Sequence, residues 1–179
     1  MKIAITGHTA GIGRALAEEY QLGGHQIIGL SQRNGNNIRN TSKICGQIES
    51  CDVFINNAQA GYAQTELLFE MAQRWQGTGK QIIVISTMMT QHPVSPLAGL
   101  DMDQYRLQKV TLEEAVGQIR HRGLGVKIII VRPGNIATSP DKTVPPAADV
   151  TNWAKTLLEL LNMATKNNLK ISDISLGPI

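Results

Sequence analysis

Thr6-Gly7-His8-Thr9-Ala10-Gly11-Ile12-Gly13 is the stretch on which the reading of the whole chain turns. It follows the apolar run Ile3-Ala4-Ile5. It precedes residues 14–22, where Ala15, Leu16, Ala17 and Tyr20 recur at helical spacing until Gly23-Gly24 stops them. A strand, a glycine turn and a helix in that order let the backbone N–H groups at the helix N-terminus meet a phosphate. The same glycines would also serve a purely structural turn, so the rest of the chain has to decide. A nucleotide-triphosphate loop is excluded, because G-x-x-x-x-G-K-[ST] needs a lysine and Arg14-Ala15 stand at the wrong spacing.

Outward from that turn, apolar runs and helical patterns alternate to the end of the chain, the signature of βαβ units. Residues 26–30 read as the second strand. A polar stretch, 32–40, follows, with Asn37-Ile38 as a vestigial third strand, and then a short helix over 41–49. Residues 52–56 form the next strand. The helix after it, over 65–75, puts Leu67, Leu68, Met71, Ala72 and Trp75 on one stripe, with Trp75 as plain core. The continuous apolar run 81–86 predicts a strand covered on both faces. A helix over 104–120, a strand over 126–131 broken at Arg132-Pro133-Gly134, a loop over 140–148, a helix over 150–163 and an edge strand over 169–175 complete the pattern.

With 179 residues, 42% hydrophobic and 17% charged, the chain suits one globular domain spanning 1–179. Aromatics are 4%, so aliphatic side chains must fill the core, as in layered α/β proteins. The net charge of +3 is scattered, with no basic run for nucleic acid. Cys45 and Cys51 lack metal-ligand or C-x-x-C spacing and read as free thiols, and no metal is expected. The residues after Met1 have no leader pattern and no membrane-length apolar run occurs, so a cytoplasmic chain with no membrane partner is expected.

The glycine spacing G-x-x-x-G-x-G resembles that of the short-chain dehydrogenase/reductase family, whose other marks recur in order. Asn56-Asn57-Ala58 stands where that family has N-N-A-G, with Gln59 in place of the glycine. Ser86-Thr87 closes the strand that carries the family's catalytic serine, with Thr87 in the serine's register. Tyr105-Arg106-Leu107-Gln108-Lys109 matches Y-x-x-x-K, and Pro133-Gly134-Asn135-Ile136-Ala137-Thr138 matches P-G-x-[VI]-x-T. Residues four apart share a helix face, so Tyr105 and Lys109 can act as a unit. An ammonium beside the phenol would lower its pKa toward working pH.

The resemblance implies a Rossmann-like, doubly wound parallel sheet of six to seven strands in three layers. Shortened connections would follow strands two and four, the latter being residues 52–56. It implies hydride transfer between a nicotinamide and a carbonyl or alcohol. Tyr105 would pass the proton. Lys109 would hold the nicotinamide ribose, and Thr87 or Ser86 would bind the substrate oxygen. Gly7, His8, Thr9, Gly11, Ile12 and Gly13 would take the pyrophosphate, and Asn57 and Ala58 the adenosine ribose. Asn37 and Ile38 would bracket adenine, and Pro133, Gly134, Ile136 and Thr138 would fix the carboxamide. Arg33, with His8 as helper and no carboxylate from the end of strand two to Glu49, favours NADP over NAD.

Departures from the pattern are also expected to matter. The helix between strands two and three should shrink to a loop. Only 87 − 57 = 30 residues separate Asn57 from Thr87, and no asparagine between Asn57 and Asn135 can support the lysine, so Gln59 or Gln64 would have to substitute. The loop with Met88, Met89, His92, Pro93, Leu97 and Asp101 would shape a substrate pocket, under a short lid stiffened by Pro145-Pro146. Relatives pair through the two helices 65–75 and 104–120, so a homodimer is expected. A non-enzymatic NADP-binding redox sensor or regulator and a sugar-nucleotide epimerase or dehydratase stand as alternatives.

Overall fold

The computed structural model describes residues 1–91, 102–138 and 146–178. Strand β1 (Lys2–Thr6) enters helix α1 (Gly11–Leu22), and β2 (Gln26–Leu30) runs parallel to β1. Helix α2 (Thr41–Ile48) leads to β3 (Val53–Asn56), and helix α3 (Ala63–Arg74) to β4 (Gln81–Ile85). Helix α4 (Met102–His121) precedes β5 (Lys127–Pro133). Two short strands, β6 (Ile136–Ala137) and β7 (Ala148–Asp149), pair with each other. Helix α5 (Val150–Lys166) and β8 (Asp173–Leu176) follow. The main sheet has six strands in the order β2-β1-β3-β4-β5-β8, and every pairing in it is parallel.

Because strand side chains alternate between faces, the aliphatic runs supply two cores at once. Ala4, Phe54, Ile82, Val84, Ile128 and Ile130 face α2, α3 and α4, which contribute Ile44, Leu67, Met71, Leu112 and Val116. Ile3, Ile5, Ile55, Ile83, Ile85 and Val131 face α1 and α5, which contribute Leu16, Tyr20, Trp153 and Leu157. The result is the expected three-layer, doubly wound α/β architecture, with β2 and β8 as the sheet's edges.

Two local expectations are corrected. Asn37-Ile38 forms no strand. The polar stretch instead turns in a 3₁₀ segment (Gln32–Asn34) and is tied to its own surroundings: Asn34 Nδ2 donates to Gly29 O (2.8 Å), Lys43 Nζ to Gly35 O (2.9 Å) and Gln47 Nε2 to Asn36 Oδ1 (2.7 Å). Side chains that satisfy the backbone locally compete with sheet pairing. The short helix expected over 41–49 forms as α2, capped by Asn40 accepting from Lys43 N. Ala148, read as the end of a loop, lies in β7 and pairs with Ile136 of β6.

Trp75 is 1% exposed and its indole N–H donates to Glu49 O at 3.3 Å, joining the ends of α3 and α2. Trp75→Ala should lower the unfolding free energy by about 3–5 kcal/mol, measured by urea denaturation; a loss under about 1 kcal/mol would contradict a core role.

Candidate active site

The glycine turn is built by close approach. Gly7 has φ +73°, a left-handed conformation that favours glycine. A Cβ on Gly13 would stand 2.3 Å from Gly7 O, and one on Gly7 would stand 2.9 Å from Asn57 Nδ2. Thr6 Oγ1 accepts from the N–H groups of Asn57 and Ala58, each at 3.0 Å, and Asn57 Nδ2 donates to Thr6 O at 2.9 Å. These bonds lock the carboxyl ends of β1 and β3 together, so the predicted phosphate turn and ribose segment adjoin.

Helix α1 starts above this joint with no side-chain cap and no acidic residue in its first turn. Its positive end is therefore open to an anion. Thr138 lies over the turn, its Cβ 3.2 Å from where a Gly11 Cβ would be, so the Pro133–Thr138 segment converges on the same place. The His8 ring lies on Gly29 Cα, where a Cβ would come within 2.3 Å of it, and His8 Nδ1 is buried without a hydrogen-bond partner among the described residues. Arg33 is exposed in the 3₁₀ segment after β2. These residues fit a dinucleotide: a glycine cradle, an uncapped helix end, and an exposed guanidinium just after β2. Asn37 Oδ1 accepts from Arg39 N at 3.0 Å. The Ile38 side chain is 4% exposed, packed in the core.

The predicted proton-handling group assembles at the end of β4. Thr87, 7% exposed, lies close enough to the Tyr105 hydroxyl to act on its ionisation. Lys109 Nζ lies 5.7 Å from the Tyr105 ring centroid and donates to Gln64 Oε1 (2.9 Å) and Ile85 O (2.8 Å). Burial raises the Tyr105 phenol above its ordinary pKa, and the Thr87 side chain opposes that rise. The direction is opposite to the sequence expectation. The reason is geometric: the lysine is 3% exposed and turned inward onto neutral acceptors. Burial pushes Lys109 down to about 7, with the Glu113 charge acting upward.

Of the two glutamines expected in place of the missing asparagine, Gln64 is the one that touches Lys109. Gln64, 2% exposed in the first turn of α3, donates from Nε2 to Asn56 O (2.7 Å) and Ile85 O (3.1 Å) while its Oε1 accepts from Lys109. One amide thus spans β3, β4 and α4. Gln59, the other candidate, is occupied by a hydrogen bond to Gln108.

The two neighbouring hydroxyls make different contacts. Ser86 Oγ donates to the Glu113 carboxylate, and Thr87, in extended backbone after it, lies by Tyr105. Glu113 and Arg132, which lie around this site, were not anticipated; the signal available was Glu113 standing one turn beyond Lys109. Met88 and Met89 lie in a 3₁₀ turn (Met88–Thr90), whereas His92, Pro93, Leu97, Asp101 and Pro145 fall outside the described residues. Among the described residues no group of three or more His, Cys, Asp or Glu could hold a metal, and no helix is long and apolar enough to cross a membrane.

The lowered Lys109 pKa makes a stability prediction with a definite sign. Between pH 7 and 9.5 the unfolded chain binds a proton at this lysine that the folded chain has released, so wild-type stability gains from rising pH. Lys109→Met removes that gain and also leaves Gln64 Oε1 short of a donor, a cost that does not vary with pH. The stability difference, mutant minus wild type, should therefore fall steadily from pH 7 to 9.5 in denaturant titrations. A difference independent of pH would show that the amine is not buried.

No family model matches the sequence, and no curated protein matches it either. Solved structures do match. An alcohol dehydrogenase from the archaeon Thermococcus sibiricus, complexed with 5-hydroxy-NADP, superposes with TM-score 0.75 at 16% identity over 99% of this chain and 96% of that one. A short-chain dehydrogenase from Burkholderia cenocepacia in complex with NADP gives 0.73 at 16% over 99% and 88%. A 3-alpha-hydroxysteroid dehydrogenase from Pseudomonas complexed with NADH gives 0.63 at 18% over 98% and 94%. At such identities the likeness is one of architecture, and it runs along nearly the whole chain: this protein has the fold of the short-chain dehydrogenases/reductases.

Proposed function

We propose that the protein is an NADP-dependent oxidoreductase that interconverts a carbonyl and an alcohol on a small molecule. The observation that carries this reading is the gathering of Thr87, Tyr105 and Lys109 at the carboxyl end of β4, with the Lys109 amine on Ile85 O and 5.7 Å from the Tyr105 ring, in the same sheet whose β1 end holds the glycine turn. Ligands of open parallel sheets bind outside the carboxyl ends of the strands. A bound nicotinamide would supply or accept the hydride.

The chain's own residues do the rest in this reading. Thr87 donates a hydrogen bond to the substrate carbonyl oxygen and stabilises the negative charge that grows there. Tyr105, protonated at neutral pH because its phenol is raised, gives its proton to that oxygen, and the carbonyl becomes an alcohol. Oxidation of the alcohol needs the phenolate and so gains with rising pH. Lys109, held by Gln64 and Ile85 O, has in its protonated form a third N–H for the coenzyme ribose. Gly7, Gly11, Gly13 and the α1 N-terminus hold the pyrophosphate, with Thr138 alongside.

Arg33 favours NADP over NAD. It is exposed at the end of β2, beside no carboxylate in the 3₁₀ segment, and its planar fork suits a 2′-phosphate. Structural neighbours are known with NADP, NADPH and NADH, so the coenzyme class is common ground and the preference rests on Arg33. We extend the reading to a homodimer paired through α3 and α4, where Leu107 is 54% exposed.

Loss of NADPH absorbance with a panel of aldehydes and ketones tests the activity. Tyr105→Phe should lower kcat by about 10²–10⁴-fold and leave coenzyme affinity within about threefold; intact turnover would remove Tyr105 from the reaction. Alcohol oxidation should rise from pH 7 to 10 while carbonyl reduction stays flat. Arg33→Ala should weaken NADPH binding by about tenfold and spare NADH, read by coenzyme fluorescence. A wild-type preference for NADH would overturn the coenzyme assignment.

A further inference from the structure

We infer that Glu113 is a positioning residue of the candidate active site, its carboxylate gripping the chain on both sides of Thr87 and so fixing the hydroxyl that Tyr105 meets. The inference rests on the proposed function for its catalytic meaning, and on geometry for its substance. Glu113 stands on α4 one turn beyond Lys109. Its Oε1 accepts from Ser86 Oγ, immediately before Thr87, and from Thr90 Oγ1 at 2.9 Å, three residues after it. Thr90 Oγ1 also donates to Thr87 O at 2.8 Å. The arc from 86 to 90 is thus pinned at both ends by one carboxylate.

The carboxylate is itself held. Arg132 on β5 donates from Nε to both Glu113 oxygens (3.0 Å each) and from Nη2 to Oε2 (2.6 Å), and continues to Asp173 on β8 at 3.2 Å. Both Arg132 and Glu113 side chains are less than one-fifth exposed. A bidentate pair of this kind fixes orientation as well as charge. Arg106, one residue after Tyr105, donates from Nε to Met89 O at 2.9 Å, so the arc is anchored to α4 on the Tyr105 side as well. Every acceptor direction of the Glu113 carboxylate is used. An amide could not replace it, because its NH2 would face the guanidinium and only one oxygen would remain for the arc.

A purely structural role for the cluster predicts lost stability and nothing else. The positioning role predicts a change in Tyr105 itself, because the Thr87 side chain holds the phenol's ionisation down against burial. Phenolate absorbance in the ultraviolet, titrated for each protein and its Tyr105→Phe counterpart, isolates Tyr105 from Tyr20 and Tyr62. Glu113→Gln should raise the Tyr105 midpoint by about half a unit or more. Thr87→Val should raise it too, and adding Glu113→Gln to Thr87→Val should raise it no further. If Glu113 acted on the phenol only through its charge, Glu113→Gln would lower the midpoint, the opposite sign.

Ser86→Ala with Thr90→Val keeps the Glu113–Arg132 pair and removes only the grip. It should give the same rise, and it serves where Glu113→Gln does not fold. An unchanged or lowered midpoint in the folded variants overturns the proposal. The titration needs neither coenzyme nor substrate. A wild type that reduces no carbonyl would thus defeat the proposed function, while the Tyr105 midpoints would still decide what Glu113 does.

Discussion

Burying an ammonium group is expensive, and the geometry around Lys109 is organised by how that expense is met. Desolvation of a buried charge is offset only by good partners. Here the two partners are the Gln64 amide oxygen and the Ile85 carbonyl, both neutral, with the Glu113 charge acting from one turn away. Each partner constrains an element. Ile85 ends β4, Gln64 opens α3, and Gln64 in turn grips the Asn56 carbonyl at the end of β3. The carboxyl ends of two central strands and the starts of two helices are thereby referred to one nitrogen atom. Tyr105, one turn before it, stands on the same helix face, beside Thr87.

The fold was legible because it depends on patterns that the sequence displays directly. Aliphatic runs such as Gln81-Ile82-Ile83-Val84-Ile85 have no polar face to offer solvent, so they had to be covered twice. The glycine turn was legible because two backbones approach there too closely for any Cβ, as the contact between Gly13 and Gly7 shows. What could not be read was the stretch after β2. A vestigial strand and a local knot of asparagine and lysine hydrogen bonds have the same polar composition, and only the three-dimensional bonds of Asn34, Lys43 and Gln47 distinguish them.

The candidate site was legible in its members and not in its electrostatics. Helical spacing puts Tyr105 and Lys109 on one face, but it says nothing about which way the amine turns. Pointed toward the phenol, the ammonium would lower the tyrosine. Turned into the protein onto Gln64, it titrates near neutrality and leaves the phenol raised by burial. The substitute for the missing asparagine could be narrowed to Gln59 or Gln64. The choice needed the fact that Gln59 reaches across to Gln108.

Strand alternation carries the last step. Ser86 and Thr87 are adjacent hydroxyls of similar chemistry, and the family pattern alone left both eligible. Successive side chains in extended backbone point opposite ways, and these two enter different polar networks. Ser86 joins Glu113, Arg132 and Asp173, a charged cluster that reaches the edge strand β8; Thr87 joins Tyr105. A one-residue change of register in β4 would exchange them and point the charged cluster at the phenol. The five-residue parallel pairing of β4 with β5, from Gln81 opposite Lys127 to Ile85 opposite Val131, prevents that slip. Which hydroxyl faces the candidate site is thus decided by the packing of aliphatic side chains several residues away, and only secondarily by the hydroxyls themselves.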